Sequence, residues 1–290
     1  GKIALFLKIR AFPIRKCSSN EKGGYLVQIP IYQIDAFTKA PFGGNPAAVC
    51  PLDEWLADDV LQAIALENNL SETAFFVSKG SGFRLRWFTP AIEVDLCGHA
   101  TLATGHVILN HLMLMGREVQ FETRSGTLQV RRDGDGLAMD FPSLPPGEEI
   151  EPPADLITAM GQAPKACMKI REMHGAPYLF LVYESEAQIA SLAPKFDALG
   201  ANVIATAPGD KVDFVSRFFA PMSGIDEDPV TGSAHCTLAP YWANQLDKDT
   251  LVARQISARG GDVGCRLDGD RVILSGHCAF YMEGQIEMPG

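Results

Sequence analysis

Apolar residues in this chain fall into short alternating runs broken by Gly and Pro clusters, with a few stripes at helical spacing between them. IYQIDAF at 31–37 reads as a strand, and PFGGNPAAV as a Gly/Pro-rich turn leading into another. Residues 55–68 carry Trp55, Leu56, Val60, Leu61 and Ile64 at helical spacing, with Asp58 and Asp59 near the start, and predict an amphipathic helix. Strands follow at 74–79 and 83–88, where Phe83, Leu85 and Trp87 alternate with Arg84 and Arg86. Stretches 118–123, 126–132 and 137–141 predict a meander. After it come a strand at 178–183, a helix at 184–192, strands at 203–207 and 213–219, and a last meander at 254–258, 265–267, 271–274 and 278–282. The Pro- and Glu-rich stretch from Pro142 to Pro153 reads as a linker.

One unit is used twice. FTPAIEVDLCGHATLATGH, from Phe88 to His106, returns from Phe219 to Trp242 as FAPMSGIDEDPVTGSAHCTLAPYW. Each copy runs from an aromatic residue through Pro and an acidic loop to a Gly that opens an Ala- and Leu-rich helical segment. The loop is three residues longer in the second copy, Pro221 to Gly232 against Pro90 to Gly98. Glycine there allows close backbone approach, and the first helical turn offers unpaired N–H groups at the positive end of the helix dipole. Each copy is therefore an anion-binding end, and two facing ends would clamp one carboxylate and stabilise negative charge developing beside it. The order of elements predicts an α+β fold in two halves, each a curled sheet around one buried helix.

Composition narrows this further. At 290 residues, 47% hydrophobic and 21% charged, the chain is long enough for two cores of ordinary size. A formal charge of -10 argues against a nucleic-acid or anionic-membrane binder, and no apolar run reaches spanning length. Seven scattered cysteines without CxxC spacing read as reduced thiols of a cytoplasmic protein. Residues 1–28, with Lys2, Lys8, Arg10, Arg15, Lys16 and Lys22 facing only Glu21, form an N-terminal extension to which no chemistry is assigned. Cys97, His99, His235 and Cys236 are soft metal donors, but adjacent His235 and Cys236 point to different sides of a helix, so no metal is expected. TGSAH lacks the GxSxG elbow, which excludes Ser233 as a hydrolase nucleophile.

IPIYQIDAFTKAPFGGNPAAV, NNLSETAF, FTPAIEVDLCGHATLATG, GIDEDPVTGSAH and ISARGG, in that order, resemble the PhzF-like (phenazine biosynthesis-like) proteins, which share a fold superfamily with diaminopimelate epimerase and proline racemase. The resemblance spans about residues 29–287. It implies a diaminopimelate epimerase-like fold of two similar domains, 29–145 and 146–290, each a barrel-like sheet around a central helix, with the last residues free to pack back on the first domain. It further implies a cleft active site, no cofactor, a small carboxylic acid as substrate and a homodimer. The epimerases of that superfamily use two opposed cysteines before the capping glycines. Here Cys97-Gly98-His99 matches the first, whereas Thr231-Gly232-Ser233 has no cysteine, which speaks against a two-thiol epimerase because a Thr hydroxyl is too weak an acid or base.

The PhzF-like proteins instead use the glutamate of the SET motif, here Glu72. By its neighbours alone Glu72 is a solvated turn residue; the resemblance makes it the group that takes a proton from carbon and returns it elsewhere on the same face. A carboxylate suits that role because burial can move its pKa toward neutrality. His99 and Asp228 match residues that hold the substrate's amino or hydroxyl groups, Gly98, His99, Gly232 and Ser233 match the backbone that holds its carboxylate, and Asn45 lies in the GNPAAV motif near the site. Cys97 reads as a small buried residue. The expectation is a cofactor-independent isomerase of a small amino or hydroxy acid. Two alternatives stand beside it: a non-catalytic carboxylate binder, and an epimerase or racemase using Cys97.

Overall fold

The computed structural model describes residues 15–17, 26–173 and 176–289. The basic extension lies mostly outside the described residues; of it, β1 (Arg15–Cys17) pairs with the start of β2 (Leu26–Ala36). In the first half, β2 runs antiparallel to β3 (Asn45–Leu52), and β3 runs parallel to β4 (Glu72–Lys79) through α1 (Asp58–Asn68). Then β4 pairs antiparallel with β5 (Gly82–Phe88), which carries the short β6 (Glu93–Val94). After α2 (Gly98–His106), β7 (Glu118–Thr123) lies parallel to β5 and leads through β8 (Gly126–Asp133) to β9 (Gly136–Pro142).

The second half repeats this ladder step for step. After β10 (Glu149–Ile150) and α3 (Ala154–Met160), β11 (Ala166–Met173) pairs antiparallel with β12 (Ala176–Val182). Through α4 (Glu186–Ser191), β12 lies parallel to β13 (Asn202–Pro208), which pairs antiparallel with β14 (Phe214–Ala220), and β14 carries the short β15 (Ile225–Asp228). After α5 (Gly232–Leu246), β16 (Thr250–Gln255) lies parallel to β14 and leads to β17 (Gly261–Asp268) and β18 (Arg271–Gly276). The halves join where β18 pairs with β9, and β19 (Cys278–Pro289) returns along the length of β2. The described residues thus form one continuous sheet of 19 strands.

In each half the sheet is apolar on both faces. In the first half the inner face, with Ala47, Val49, Ala74, Leu85 and Trp87, closes on α2, while Phe75, Val77, Phe88, Cys50 and Leu52 on the outer face pack against α1. Residues 99–105 of α2 are all buried, so its polar side chains must bond at home: Thr101 and Thr104 donate to the carbonyls of Cys97 and Ala100. A π-turn at Val107–His111 extends the helix. The second half mirrors the arrangement, with α5 against β16, β17 and β18 and a separate apolar layer including Leu181, Val203, Val215 and Phe219 on the other face.

Several expectations shift. The first helix starts at Asp58, because Ala57 is extended, and Trp55 and Leu56 pack beside the helix. Glu72 begins a strand rather than sitting in the turn before it. The strand expected at 254–258 runs from Thr250 to Gln255, and the acidic loop contains β15. The Pro-rich stretch is tied down along its length by Ser143 N–H to Asp270, Leu144 N–H to Cys236 and Gly147 N–H to Lys169.

Candidate functional site

The two helix N-termini meet. A Cβ added to Gly98 would lie 3.5 Å from the Cα of Gly232, and the converse distance is also 3.5 Å. Neither helix has a side-chain cap: Cys97 and Thr231 stand at the N-cap positions in extended conformation and bond elsewhere. Uncapped first-turn N–H groups from both helices therefore converge where the halves touch.

Around this junction the structure gathers Glu72, His99, Asp228, Asn45, Cys97 and Thr231. Asn45 is the hub, and it is placed there by Gly44. At Gly44 φ is +61°, and a Cβ would come within 2.1 Å of the Ala36 carbonyl oxygen, so only glycine turns the chain into β3 at that point. Asn45 Nδ2 lies 2.8 Å from Asp228 Oδ1, 2.9 Å from the Val230 carbonyl and 3.2 Å from His99 Nδ1. The Ser71 hydroxyl donates to Asn45 Oδ1 at 3.1 Å. One side chain of the first half thus reaches two groups of the second.

His99 and Asp228 are 5% and 8% exposed, and the Glu72 side chain 17%, so the cluster is nearly dry. His99 Nε2 lies 3.1 Å from Glu72 Oε2, yet the pair is not aligned as a hydrogen bond, and both atoms are buried without a hydrogen-bond partner. On the other edge of the ring, Cys97 Sγ is 3.5 Å from Nδ1. Asp228 is held by the Thr231 hydroxyl, which donates to Oδ2.

The charges of the cluster follow from burial first. Desolvation pushes Asp228 up to about 6 against the pull of His99, with Glu72 adding to the rise. Desolvation pushes the Cys97 thiol up to about 11, with Glu72 adding to it. At His99 burial opposes the imidazolium, but negative charge on Cys97 and Glu72 outweighs it and holds the ring well above its ordinary value.

Of the residues singled out in the sequence, Glu72, His99, Asp228, Asn45, Cys97, Gly98, Thr231 and Gly232 are brought together. Ser233 follows at the start of α5, but its side chain is exposed. Gln255 went unnoticed. It is fully buried, donates to the Asp228 carbonyl at 2.7 Å and accepts from Thr231 N–H at 2.9 Å, fixing the segment before α5. The signal was present: Leu251, Ala253 and Gln255 are the inward positions of an alternating strand, and a polar residue there needs partners. Arg259, in the ISARGG motif, bonds Asp35 at 2.8 Å and the carbonyls of Gly43 and Gly44, so the second half also braces the turn that presents Asn45.

Glu72, Cys97 and His99 bring ligand atoms within 4.8 Å of one another. Three donors fall short of the four of a closed structural zinc site, and Cys97 lies beside Nδ1 while Glu72 lies beside Nε2, on different edges of one ring. His235 is committed to the Thr231 carbonyl at 2.7 Å and Cys236 to the Gly232 carbonyl. Surface grooves of about 380 Å³, lined by Trp55, Arg84 and Arg86, and about 360 Å³, lined by Phe37, Gln255 and Arg259, include none of Glu72, His99 and Asp228. Those three residues sit instead in the buried junction between the two helix ends. No helix among the described residues is long and apolar enough to cross a membrane.

Residues 34–284 match the phenazine biosynthesis-like protein family, PhzC-PhzF. A Pseudomonas aeruginosa protein named as an uncharacterized isomerase is 51% identical over 266 residues, which cover 90% of this chain and 100% of the relative. A crystal structure of a PhzF-family phenazine biosynthesis protein from Enterococcus faecalis superposes with a TM-score of 0.85 at 43% identity, covering 90% of this chain and 99% of that one. A hydroxyproline epimerase from Agrobacterium vitis shares the fold at a TM-score of 0.59 and 10% identity, covering 91% and 93%.

Proposed function

The chain belongs to the phenazine biosynthesis-like (PhzC-PhzF) family of isomerases, and from that premise we propose that it moves a proton between carbon atoms of a small amino or hydroxy carboxylic acid, with Glu72 as the shuttle. The observation that carries this reading is the pair Glu72 Oε2 and His99 Nε2. Two complementary acid/base groups lie 3.1 Å apart, buried and without aligned partners, beside two uncapped helix ends. Buried polar atoms left open in this way gain most from a third group that completes their bonding.

The substrate carboxylate is held by the N–H groups that open α2 and α5, at Gly98, His99, Gly232 and Ser233, where helix dipoles favour negative charge. His99 and Asp228 take its amino or hydroxyl substituent. Glu72 then removes a proton from a carbon adjacent to the polarised group and returns it at another carbon on the same face, ending in its starting state. Preformed donors in a dry site stabilise the anionic transition state without reorganising. A single thiol with a pKa near 11, and no cysteine at Thr231, argues against a two-base epimerase built on Cys97.

The test is solvent deuterium incorporation, followed by NMR over a panel of small amino and hydroxy acids, with wild type and Glu72→Gln. The wild type should exchange carbon-bound hydrogen and Glu72→Gln should not, while calorimetry shows the ligand still bound. Binding without exchange in the wild type would replace this reading with a carboxylate-binding protein.

A further inference from the structure

We infer that Arg217 is a positioning residue: its guanidinium grips Glu227 on the outer face of the second sheet, and that grip fixes the strand register that turns Asp228 into the site. The role of Asp228 rests on the reading above, but the argument for the grip comes from the opposite face. β15 is a poor strand by itself. Its sequence is IDED, among the described residues it pairs with β14 alone, and its register shifts at Asp226, between the pairing of Phe219 with Glu227 and that of Ala220 with Ile225. A charged strand of four residues has no apolar alternation to select its register, and a slip of one residue would turn Asp228 away from the site.

Arg217 makes the selection. Its Nε and Nη2 donate to the two carboxylate oxygens of Glu227 at 2.7 and 2.8 Å. The guanidinium lies 4.7 Å from the centre of the Phe219 ring, and Phe219 is the residue that Glu227 faces across the ladder. The two charged side chains are only 13% and 19% exposed. Arg217 is itself anchored, because Nη1 donates to the carbonyls of Ile189 and Leu192 where α4 ends. A forked donor on a carboxylate imposes one geometry, which a point charge would not. Asp228, next along the strand, then faces the other way, where Asn45 Nδ2 and the Thr231 hydroxyl donate to it. A substrate substituent competes for those inner bonds and leaves the outer grip untouched.

The first half carries the same device. Arg86 Nε and Nη2 each donate to Glu93 at 2.7 Å, Glu93 faces Phe88, and the Arg86 guanidinium lies 5.1 Å from that ring. Each glutamate stands five residues before its capping glycine, Glu93 before Gly98 and Glu227 before Gly232. The three extra residues of the second acidic loop all fall ahead of the glutamate, since Phe88 to Glu93 is a step of five and Phe219 to Glu227 a step of eight. Loop length differs between the halves; the spacing from grip to helix end does not. Redundancy differs too. Arg124 also reaches Glu93, at 2.7 Å, whereas among the described residues the ion pair of Glu227 is with Arg217 alone. The second half is therefore where loss of one grip releases the strand.

Carbon-detected NMR of the aspartate side chains tests this without substrate, with the Asp228 signal assigned by its loss in Asp228→Asn. In the wild type that carboxyl should titrate at about 6. In Glu227→Ala, which keeps the Arg217 bonds to α4, the released strand exposes Asp228, and its midpoint should fall toward the ordinary 3.8. There kcat/KM for deuterium exchange should drop about tenfold, mostly through KM, because a binding contact is lost. Glu227→Gln, which keeps an accepting oxygen, should recover most of both. Arg217→Lys should behave like Glu227→Ala, since charge without the fork does not set register. Arg86→Met removes the matching grip of the first half and should leave the Asp228 midpoint where it is. The midpoint is read on folded protein, so a variant that loses only stability does not move it. An unmoved midpoint in Glu227→Ala and Arg217→Lys would overturn the inference, as would an equal fall in Arg86→Met. A fall confined to the second-half variants, in a protein that exchanges hydrogen with no acid, would keep the inference and remove the proposed function. Normal exchange with an unmoved midpoint would keep the function and remove the inference.

Discussion

Glu72 begins β4 opposite Ala47, the third residue of β3; Asn202 begins β13 opposite Tyr178, the third residue of β12. The two positions are therefore equivalent in the repeated ladder. They are used in opposite ways. Asn202 is fully buried and spent on structure, donating to the Ser223 hydroxyl at 2.9 Å and accepting from Met222 N–H at 3.0 Å. Glu72 keeps Oε2 without a hydrogen bond. The acid of the second half arises elsewhere: Asp228 faces Phe218 across β14 and β15, where the first half places Val94 opposite Trp87. A duplicated scaffold thus supplies two helix ends in symmetric positions and two carboxylates in asymmetric ones. That is what a site needs if one group moves a proton while the other holds the substrate.

The largest way to break this comparison is Glu72→Gln, expected to lower the exchange rate on the order of 10³-fold, the range for removing a general base. A variant that kept the wild-type rate would return Glu72 to the same status as Asn202.

Next come two buried groups of the second half whose pH effects oppose each other. Asp228 titrates at about 6 in the folded protein against an ordinary 3.8. A raised carboxyl binds its proton more tightly when folded, so its contribution is intact below pH 4 and is lost as pH rises toward 6, by about 3 kcal/mol. His235 is depressed to about 4 from 6.5 by burial. It stays neutral in the fold, so stability is lost as pH falls from 6.5 toward 4, by about 3 kcal/mol as well. In the wild type the two slopes offset one another. Urea unfolding across pH 4–7, read as the difference from wild type, should show Asp228→Asn losing stability on acidification and His235→Gln losing it on alkalinisation. Parallel curves for both variants would contradict these assignments.

Much of this was legible in the chain because period and punctuation are local signals. Alternation at 83–88 and 118–141 gave strands within a residue or two of those observed, and the paired FTP and FAP runs marked the repeat before any coordinate did. The family motifs then picked out Glu72, His99 and Asp228, which the fold brings into one cluster. What escaped was non-local. Nothing near Glu72 says that its strand neighbour is Ala47, and nothing near Gln255 says that it holds the segment before α5 from 24 residues away. Burial was equally invisible: nothing in the local sequence marks Asp228 as a carboxyl that desolvation lifts. β15 was hidden because four residues rich in charge carry no strand period, and they pair only because β14 is beside them.

The smallest effect is also the cleanest control. Asn202→Ala removes both hydrogen bonds at the position equivalent to Glu72 and leaves Met222 N–H and the Ser223 hydroxyl to find other partners. Loss of two buried bonds costs about 2 kcal/mol, so the urea midpoint should fall with an unchanged slope. Turnover of the folded fraction should stay at the wild-type rate, because among the described residues the Asn202 side chain bonds to the short turn at 221–223 and to none of Glu72, His99 and Asp228. A drop in turnover with intact stability would mean that the second half's copy of the position still takes part in the chemistry. The division of labour between the halves would then have to be redrawn around both positions.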